Sequence, residues 1–295
     1  FITQRGLLDT VLRYLGPPTL LSVLTWLAVD VGYVLAHTLA ELFSIVVAVT
    51  ALVVASTSVH FTRNHFVVFV SVAIGWCAGL DLLHTMVFEG MHLLSSDSSN
   101  PATQFWVAAR FMQAMALVLA PCVLRHSVRM SWLHAAFGTW SVGCTMLILG
   151  GWFPQAYIDG QGLTPFKVYV EYLIIALLGT ALWLFWRQRA LMSRRLHWGM
   201  TAAVLTMMGS EFALTQYVSA HGPANLIGHL LKIYAYWFVY MALVQNTLRE
   251  PFSMLSRTAS TYDAIPDPTL IVSREGVIQQ ANQAAAQNLS RPAAH

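Results

Sequence analysis

The sequence predicts an all-α integral membrane bundle of about eight transmembrane helices, followed by an incomplete α/β segment at the C-terminal end. Composition is the first observation, because 57% of the residues are hydrophobic, only 10% are charged, and mean hydropathy is +0.59. The second is the recurrence of apolar segments of roughly 20 residues, the length that crosses a hydrocarbon core as a helix. The third is an uneven distribution of arginines between alternate loops.

Residues 1–16 are predicted to form an amphipathic helix on the membrane surface, with Leu8 and Leu15 on its apolar face. Pro17 and Pro18 are expected to end this helix, because proline lacks the backbone N–H that a helix interior needs. The transmembrane domain follows over residues 17–247. Its eight predicted spans are 19–36, 38–58, 66–87, 103–124, 131–150, 167–186, 196–217 and 223–246.

Arginines concentrate at the chain start and in every second connection between the predicted spans. They are Arg5 and Arg13, Arg63, Arg125 and Arg129, then Arg187, Arg189, Arg194 and Arg195, and finally Arg249 and Arg257. The opposite connections are predicted as outer loops at 88–102 and 151–166, and the only basic residue at that side is Lys167. By the positive-inside rule, both chain termini are predicted to lie in the cytoplasm, which requires an even number of spans.

The amino-acid composition of the chain becomes less hydrophobic after the last predicted span. Residues 248–261 are predicted to form a short juxtamembrane helix, and residues 262–295 have the composition of a soluble domain. Two strands are predicted at 269–273 and 277–281, and Asn282 is a suitable N-cap for a following helix. We expect this last segment to be only the beginning of a second domain.

Ionisable side chains inside the predicted spans are the strongest functional signal. Asp81 and His84 are three residues apart on one helical face, which Cys77 shares. Each such group costs on the order of 2.5–3.5 kcal/mol to insert, so it indicates a function or a strong internal partner. The candidate site residues, all predicted to lie in the outer half of the membrane, are His37, Glu41, Asp81, His84, Arg110, His229 and Lys232. Asp30, Glu89, Glu171 and Glu211 are predicted to share that half.

Three histidines at similar depth on different helices favour a bound haem b or a transition metal such as copper. His84 and His229 are the first candidates for direct ligands and His37 is the third. Asp81 and Glu41 are expected to orient these histidines. Arg110 and Lys232 are expected to hold anionic groups such as haem propionates.

Other interpretations remain open at this point. Arg110 and Lys232 also suit a small anionic or quinone-like ligand without a metal, and Asp81 could simply neutralise either cation in a structural ion-pair network. A transporter relaying ions through Asp81, Glu211 and Lys232 is a further alternative, although the polar residues stop halfway across the membrane. An enzyme acting on lipid is another.

Several classes of site are missing from the sequence. It contains no glycine-rich phosphate loop, nucleophile elbow or metalloprotease helix, so no catalytic residue is assigned. Its three cysteines, Cys77, Cys122 and Cys144, lie in apolar runs and are expected to be buried thiols. No nucleic-acid partner is expected.

Four sequence motifs resemble a known family. They are His37-Thr-Leu-Ala-Glu41, Asp81-Leu-Leu-His84-Thr with Gly90-Met91, Ala109-Arg110-Phe111, and His229-Leu-Leu-Lys232-Ile-Tyr-Ala-Tyr. Together, over about residues 15–250, they resemble the bacterial membrane-associated sensor domain of the third type (the MASE class). Residues 262–290 resemble the beginning of a Per-Arnt-Sim (PAS) domain.

The resemblance implies a multi-pass sensory input module in a bacterial inner membrane. Such modules precede PAS, histidine kinase, diguanylate cyclase or phosphodiesterase domains, so a two-component or cyclic-di-GMP output is expected elsewhere in the same protein. We expect residues 17–247 to bind a ligand and to pass its state through residues 248–261. Because output helices of signalling proteins commonly pair in parallel, a homodimer in the lipid bilayer is expected.

Overall fold

The structure is a computed structural model that describes residues 4–58, 64–91, 93, 98–216, 222–244, 247 and 260–289, with side chains described from residue 11. The chain folds into two compact units, Phe1–Thr247 and Leu248–His295. The described part of the first unit contains eight long helices. They are α1 (Gln4–Ala28), α2 (Tyr33–Ser58), α3 (His65–Met86), α4 (Asn100–Leu119), α5 (Met130–Leu149), α6 (Pro165–Arg187), α7 (Arg194–Leu214) and α8 (Pro223–Val239).

Short elements extend or connect these helices. A 3₁₀ turn over Ala120–Leu124 continues α4, and a second over Arg189–Leu191 precedes α7. A π-helical turn over Tyr240–Val244 continues α8. Between α5 and α6, strands β1 (Tyr157–Ile158) and β2 (Gly162–Leu163) pair antiparallel.

Six of these helices, counted among the described residues, are long and apolar enough to cross a membrane: α2, α3, α4 with its 3₁₀ turn, α5, α6 and α8 with its π-helical turn. The sequence predicted about eight spans, and α1 and α7 are the two that do not meet this criterion. For α7 the reason is composition, because polar residues such as His197, Ser210 and Glu211 lower its hydropathy.

Helix α1 differs from the prediction of a surface helix over residues 1–16 and a span over 19–36. It is one helix from Gln4 to Ala28, and Pro17 and Pro18 lie inside it. Prolines are tolerated within membrane helices when neighbouring helices support the backbone. Here α8 provides that support, since Tyr234 hydrogen-bonds Thr19 at 2.9 Å and the Trp237 indole N–H donates to the Tyr14 carbonyl at 2.5 Å.

Local sequence signals explain where several helices begin. The Asn64 side chain accepts from the Val67 N–H at the start of α3. Thr164 does the same for Lys167 at the start of α6, and Ser193 for Leu196 at the start of α7. These side chains satisfy backbone donors that lack an intrahelical partner. Helices α4, α6 and α8 also carry proline in their first turn, where its missing N–H costs nothing.

The apolar core lies at the end of the unit where α3 and α7 begin and α2, α4, α6 and α8 finish. Its largest fully buried side chains include Phe66, Phe185, Leu196 and Met200. Gly199 allows α7 to approach the π-helical turn closely, because a Cβ there would stand 2.8 Å from the Ala242 Cβ. Small residues at such contacts are typical of helix packing in membranes.

The second unit is described from residue 260 to 289. Strands β3 (Leu270–Val272) and β4 (Ile278–Ala281) pair antiparallel and precede helix α9 (Gln283–Leu289). Asn282 connects these elements, since its Oδ1 accepts from the Ala285 and Thr269 N–H groups, each at 2.9 Å. These elements lie where the sequence predicted them; that they begin a PAS domain stays a prediction. Most of the predicted juxtamembrane helix, 248–259, lies outside the described residues.

Candidate functional site

Four helices bring all seven candidate residues into one buried cluster. Helix α2 supplies His37 and Glu41, α3 supplies Asp81 and His84, α4 supplies Arg110, and α8 supplies His229 and Lys232. None of these side chains is more than 5% exposed. The cluster lies where α2, α4 and α8 begin and α3 ends, opposite the apolar core. His37 and Glu41 are one turn apart within α2, rather than at a turn between two spans as the sequence suggested.

Four of these residues bring possible metal-ligand atoms close together. We call them the histidine cluster, and they are His37, Glu41, His84 and His229. One nitrogen each from His37, His84 and His229 and one carboxylate oxygen of Glu41 all lie within 4.8 Å of one another. His37 Nε2 and His84 Nε2 are 3.1 Å apart and share a hydrogen bond. A tetrahedral zinc site with bonds of about 2.0–2.1 Å separates its ligand atoms by roughly 3.4 Å. The distance of 3.1 Å is close to that value, while the other separations extend up to 4.8 Å.

The far nitrogens of two histidines have fixed partners on the backbone. His84 Nδ1 lies 2.7 Å from the Ala102 carbonyl oxygen, and His229 Nδ1 lies 2.8 Å from the Asn225 carbonyl oxygen. A carbonyl can only accept, so both Nδ1 atoms must carry the proton. The Nε2 atoms then present lone pairs toward the cluster, which is the state that a metal ligand requires.

His37 completes the group without a backbone partner. Its ring stacks on Phe88 with centroids 3.7 Å apart, which fixes the plane of the imidazole. Among the described residues, His37 Nδ1, His229 Nε2 and Glu41 Oε1 have no hydrogen-bond partner. The last two are 3.3 Å apart without hydrogen-bond alignment. Buried polar atoms are normally satisfied, so these three are the atoms of the cluster that could accept a further hydrogen bond or bind a cation.

The charged residues of the cluster neutralise one another. Arg110 Nη2 lies 2.6 Å from both carboxylate oxygens of Asp81, and Lys232 Nζ lies 2.6 Å from Glu41 Oε2. Lys232 Nζ is also 3.4 Å from Asp81 Oδ2. Two cations and two carboxylates thus balance. Asp81 was expected to orient His84, but the structure pairs it with the cations, and only Glu41 of the two carboxylates contacts a histidine.

Trp106 is a site residue that the sequence analysis missed. Its ring centroid is 5.5 Å from those of both His84 and His229. Lys232 Nζ lies 4.7 Å and the Arg110 guanidinium carbon 5.0 Å from the same ring. Trp106 therefore holds two cations by cation–π contact and separates the histidine cluster from α7. Its position four residues before Arg110, on the same face of α4, was the available signal.

The other ionisable residues predicted to lie in the outer half of the membrane do not join the cluster of seven. Lys167 Nζ lies 2.6 Å from Glu171 Oε1 on α6, and the Trp106 indole N–H lies 3.4 Å from Glu211 Oε2 on α7. Glu89 accepts a hydrogen bond from Ser99 within the predicted outer loop 88–102. Asp30, which the sequence placed within a span, is exposed in the turn after α1. A cavity of about 20 Å³, room for about one water molecule, lies beside His84 and His229.

A larger apolar cavity of about 610 Å³ lies between α4, α5 and α6. Trp140, Cys144 and Phe166 contribute to its wall, and the described residues that line it include no histidine. It therefore offers no imidazole ligand for an iron centre.

Comparison with known proteins agrees with this architecture. The family model described as "Membrane-associated sensor domain", MASE3, matches residues 31–251, which include the whole histidine cluster and both ion pairs. No curated protein and no solved structure matches the chain. Because the match covers most of the sequence, and several helices are apolar enough to cross a bilayer, the chain belongs to the MASE3 family of membrane-associated sensor domains and is a multi-pass membrane protein.

Proposed function

We propose that this sensor domain binds one first-row transition metal ion through His37, His84, His229 and Glu41. The observation that carries the proposal is the convergence of four buried ligand atoms within 4.8 Å. The fixed Nδ1–H tautomers of two of the histidines support it. Three imidazoles and a carboxylate suit copper and zinc, the ions that bind such donors most tightly in the divalent series.

The charge pattern favours a metal ion over an anionic or quinone-like ligand. Arg110 and Lys232 are already engaged by Asp81 and Glu41. An anion would have to displace a buried carboxylate, which then loses its partner at considerable cost. A cation instead finds His37 Nδ1, His229 Nε2 and one Glu41 oxygen without hydrogen bonds, and it would replace the hydrogen bond between His37 Nε2 and His84 Nε2.

Haem b is the second candidate, and the space around the cluster favours the single metal ion. The neighbouring cavity has room for about one water molecule, and the rings of His37 and His84 have centroids only 5.1 Å apart. A porphyrin requires a slot between its axial ligands and a pocket of several hundred cubic ångströms for the macrocycle. A single ion requires neither.

The metal state is proposed to reach the cytoplasm through α8. This helix carries His229 and Lys232 at the site and continues through the π-helical turn at Tyr240–Val244. An added ion would pull α2, α3 and α8 together at this end. Since packed helices shift between discrete arrangements, the movement would alter the helix that leads to the PAS segment and the output domains of a homodimer.

We further propose that α1 and α7 also cross the bacterial inner membrane, which gives eight spans and two cytoplasmic termini. The arginine distribution supports this topology. Alkaline phosphatase fused after Asp159 or after Gly222 should be active, and phosphatase fused after Arg189 should be inactive. Inactive phosphatase after Gly222 would show that α7 does not cross.

Metal binding is tested by elemental analysis and visible absorption of detergent-purified protein. We expect about one copper or zinc per chain in the parent after incubation with the ion and desalting. His84→Ala and His229→Ala should each lose it, because removal of a ligand typically lowers affinity by more than the 10–100-fold seen for outer-shell changes.

His134→Ala is the matched control. His134 lies in α5 and accepts a hydrogen bond from the Trp76 indole at 3.1 Å, outside the cluster. The His134→Ala variant should bind as much metal as the parent protein. A colourless parent that binds neither ion would exclude the metal, whereas a Soret band lost in the His84 variant would establish haem.

A further inference from the structure

Three ionisable side chains form a second buried network outside the histidine cluster. Lys167 and Glu171 lie one turn apart on α6, and Glu211 reaches them from α7. All three are at most 2% exposed. Lys167 Nζ is 2.6 Å from Glu171 Oε1 and donates to the Leu214 carbonyl at 2.9 Å. The Glu171 and Glu211 side chains lie within hydrogen-bond reach of each other.

The charges of this network do not balance if both carboxyl groups are ionised. Lys167 neutralises one of them, and a second buried carboxylate would leave one uncompensated negative charge, which is very costly in a membrane domain. Two adjacent carboxylates also repel strongly, so such pairs share a proton.

The two unsatisfied carboxylate oxygens of Glu171 indicate where the shared proton binds. Among the described residues, neither carboxylate oxygen of Glu171 accepts an aligned hydrogen bond, although the side chain is fully buried. A proton on Glu211 would give Glu171 a second donor beside the Lys167 ammonium. The same proton removes the excess negative charge.

We propose that Glu171 and Glu211 form a proton-binding site that holds one exchangeable proton. On protonation, one Glu211 oxygen takes the proton and donates it in a hydrogen bond to Glu171, which stays ionised beside Lys167. On deprotonation, the proton leaves to water at the outer face. The cavity of about 20 Å³, whose wall includes Lys167 and Leu214, lies beside the lysine of this network.

Trp106 connects the proton site to the histidine cluster, a link that rests on the proposed function. Its indole N–H faces Glu211, and its ring contacts His84 and His229. The charged groups that act on Glu211 are Glu171 and Lys167 from α6 and Arg110 from α4. From α8, Lys232 and His229 contact the same indole. A metal cation favours loss of the proton, so by linkage a rise in pH strengthens metal binding.

Infrared spectroscopy of the full chain in lipid vesicles, without added metal, tests the proton site. We expect a carboxylic acid C=O band at neutral pH that shifts on exchange into D₂O. Glu211→Gln and Glu171→Gln should each abolish it, because Lys167 fully neutralises the remaining carboxylate. Glu275→Gln changes an exposed carboxylate in the second unit and should leave the band unchanged.

Lys167→Met provides a test that keeps both carboxyl groups. Loss of the lysine charge should bring in a second proton, which makes the acid band about twofold stronger. A band that persists in both glutamine variants, or no acid band in the parent at neutral pH, would overturn the proposal.

Zinc titration separates this proposal from the metal proposal. If zinc binds, Glu211→Gln should release about one proton fewer per ion than the parent, as linkage requires. Equal proton release would remove the link through Trp106. If zinc does not bind, the metal proposal fails, while the infrared result still decides the proton site.

Discussion

The two ends of the helical unit are held together by different forces. At one end, Phe66, Phe185, Leu196 and Met200 pack in a core without charged groups. At the other, buried cations pair with buried carboxylates between helices. In lipid, apolar helix faces gain little by leaving the solvent, so the first end depends on close packing. The second end carries costly charges that packing alone does not need, and such intramembrane charges make it the candidate functional site.

Removal of the buried Arg110 charge should destabilise the polar end of the unit most. Arg110→Met should lower the free energy of unfolding by about 3–5 kcal/mol, because it leaves the buried Asp81 carboxylate with only a shared contact to Lys232. Reversible unfolding in mixed detergent micelles measures this. The double variant Arg110→Met with Asp81→Asn should recover most of the loss. If the double variant is as unstable as the single one, packing of the arginine stem, and not its charge, holds this end.

An intermediate effect is expected at the apolar end. Gly199→Ala should cost about 1–3 kcal/mol, because its Cβ would stand 2.8 Å from the Ala242 Cβ and force α7 away from the π-helical turn. Gly143→Ala on α5 is the control, since its new Cβ meets nothing within 4 Å. The same unfolding assay compares them. If the Gly199→Ala and Gly143→Ala variants have equal free energies of unfolding, close packing at Gly199 contributes little to stability.

The smallest expected effect concerns one neutral hydrogen bond at the polar end. Ser210 Oγ on α7 donates to the Gly228 carbonyl on α8 at 2.8 Å. Ser210→Ala should cost about 0.6 kcal/mol, the average for such bonds between membrane helices. Thr206→Ala is the control, because Thr206 bonds only to the Ala202 carbonyl of its own helix. A loss as large as that of Arg110→Met would mean that neutral polar contacts dominate this end.

Much of the candidate site was predictable from single helices. The pairs His37 and Glu41, Asp81 and His84, and His229 and Lys232 each follow helical spacing, so the sequence identified three polar faces. The sequence could not assign partners across helices. It therefore assigned Asp81 to orient His84, whereas Asp81 binds Arg110 at 2.6 Å. The role of Trp106 on α4 also depends on contacts with three other helices, α3, α7 and α8, which no local pattern contains.

The helix boundaries also depend on contacts between helices that local sequence signals do not contain. Pro17 and Pro18 indicated an end to the first helix, but α1 passes through both and continues to Ala28. Local propensity is a weak guide where a neighbouring helix supports the backbone, as α8 does through Tyr234 and Trp237.

Hydropathy, helical spacing and arginine placement are properties of each segment alone, so the amino-acid sequence predicts a helical membrane protein with ionisable residues grouped at one depth. Which polar groups meet depends on the packing of the helices. Convergence of three imidazoles and a carboxylate within 4.8 Å depends on how α2, α3 and α8 rotate and pack against one another. The shared proton site depends equally on α6 and α7, since a carboxyl pair between helices exists only after those helices have packed.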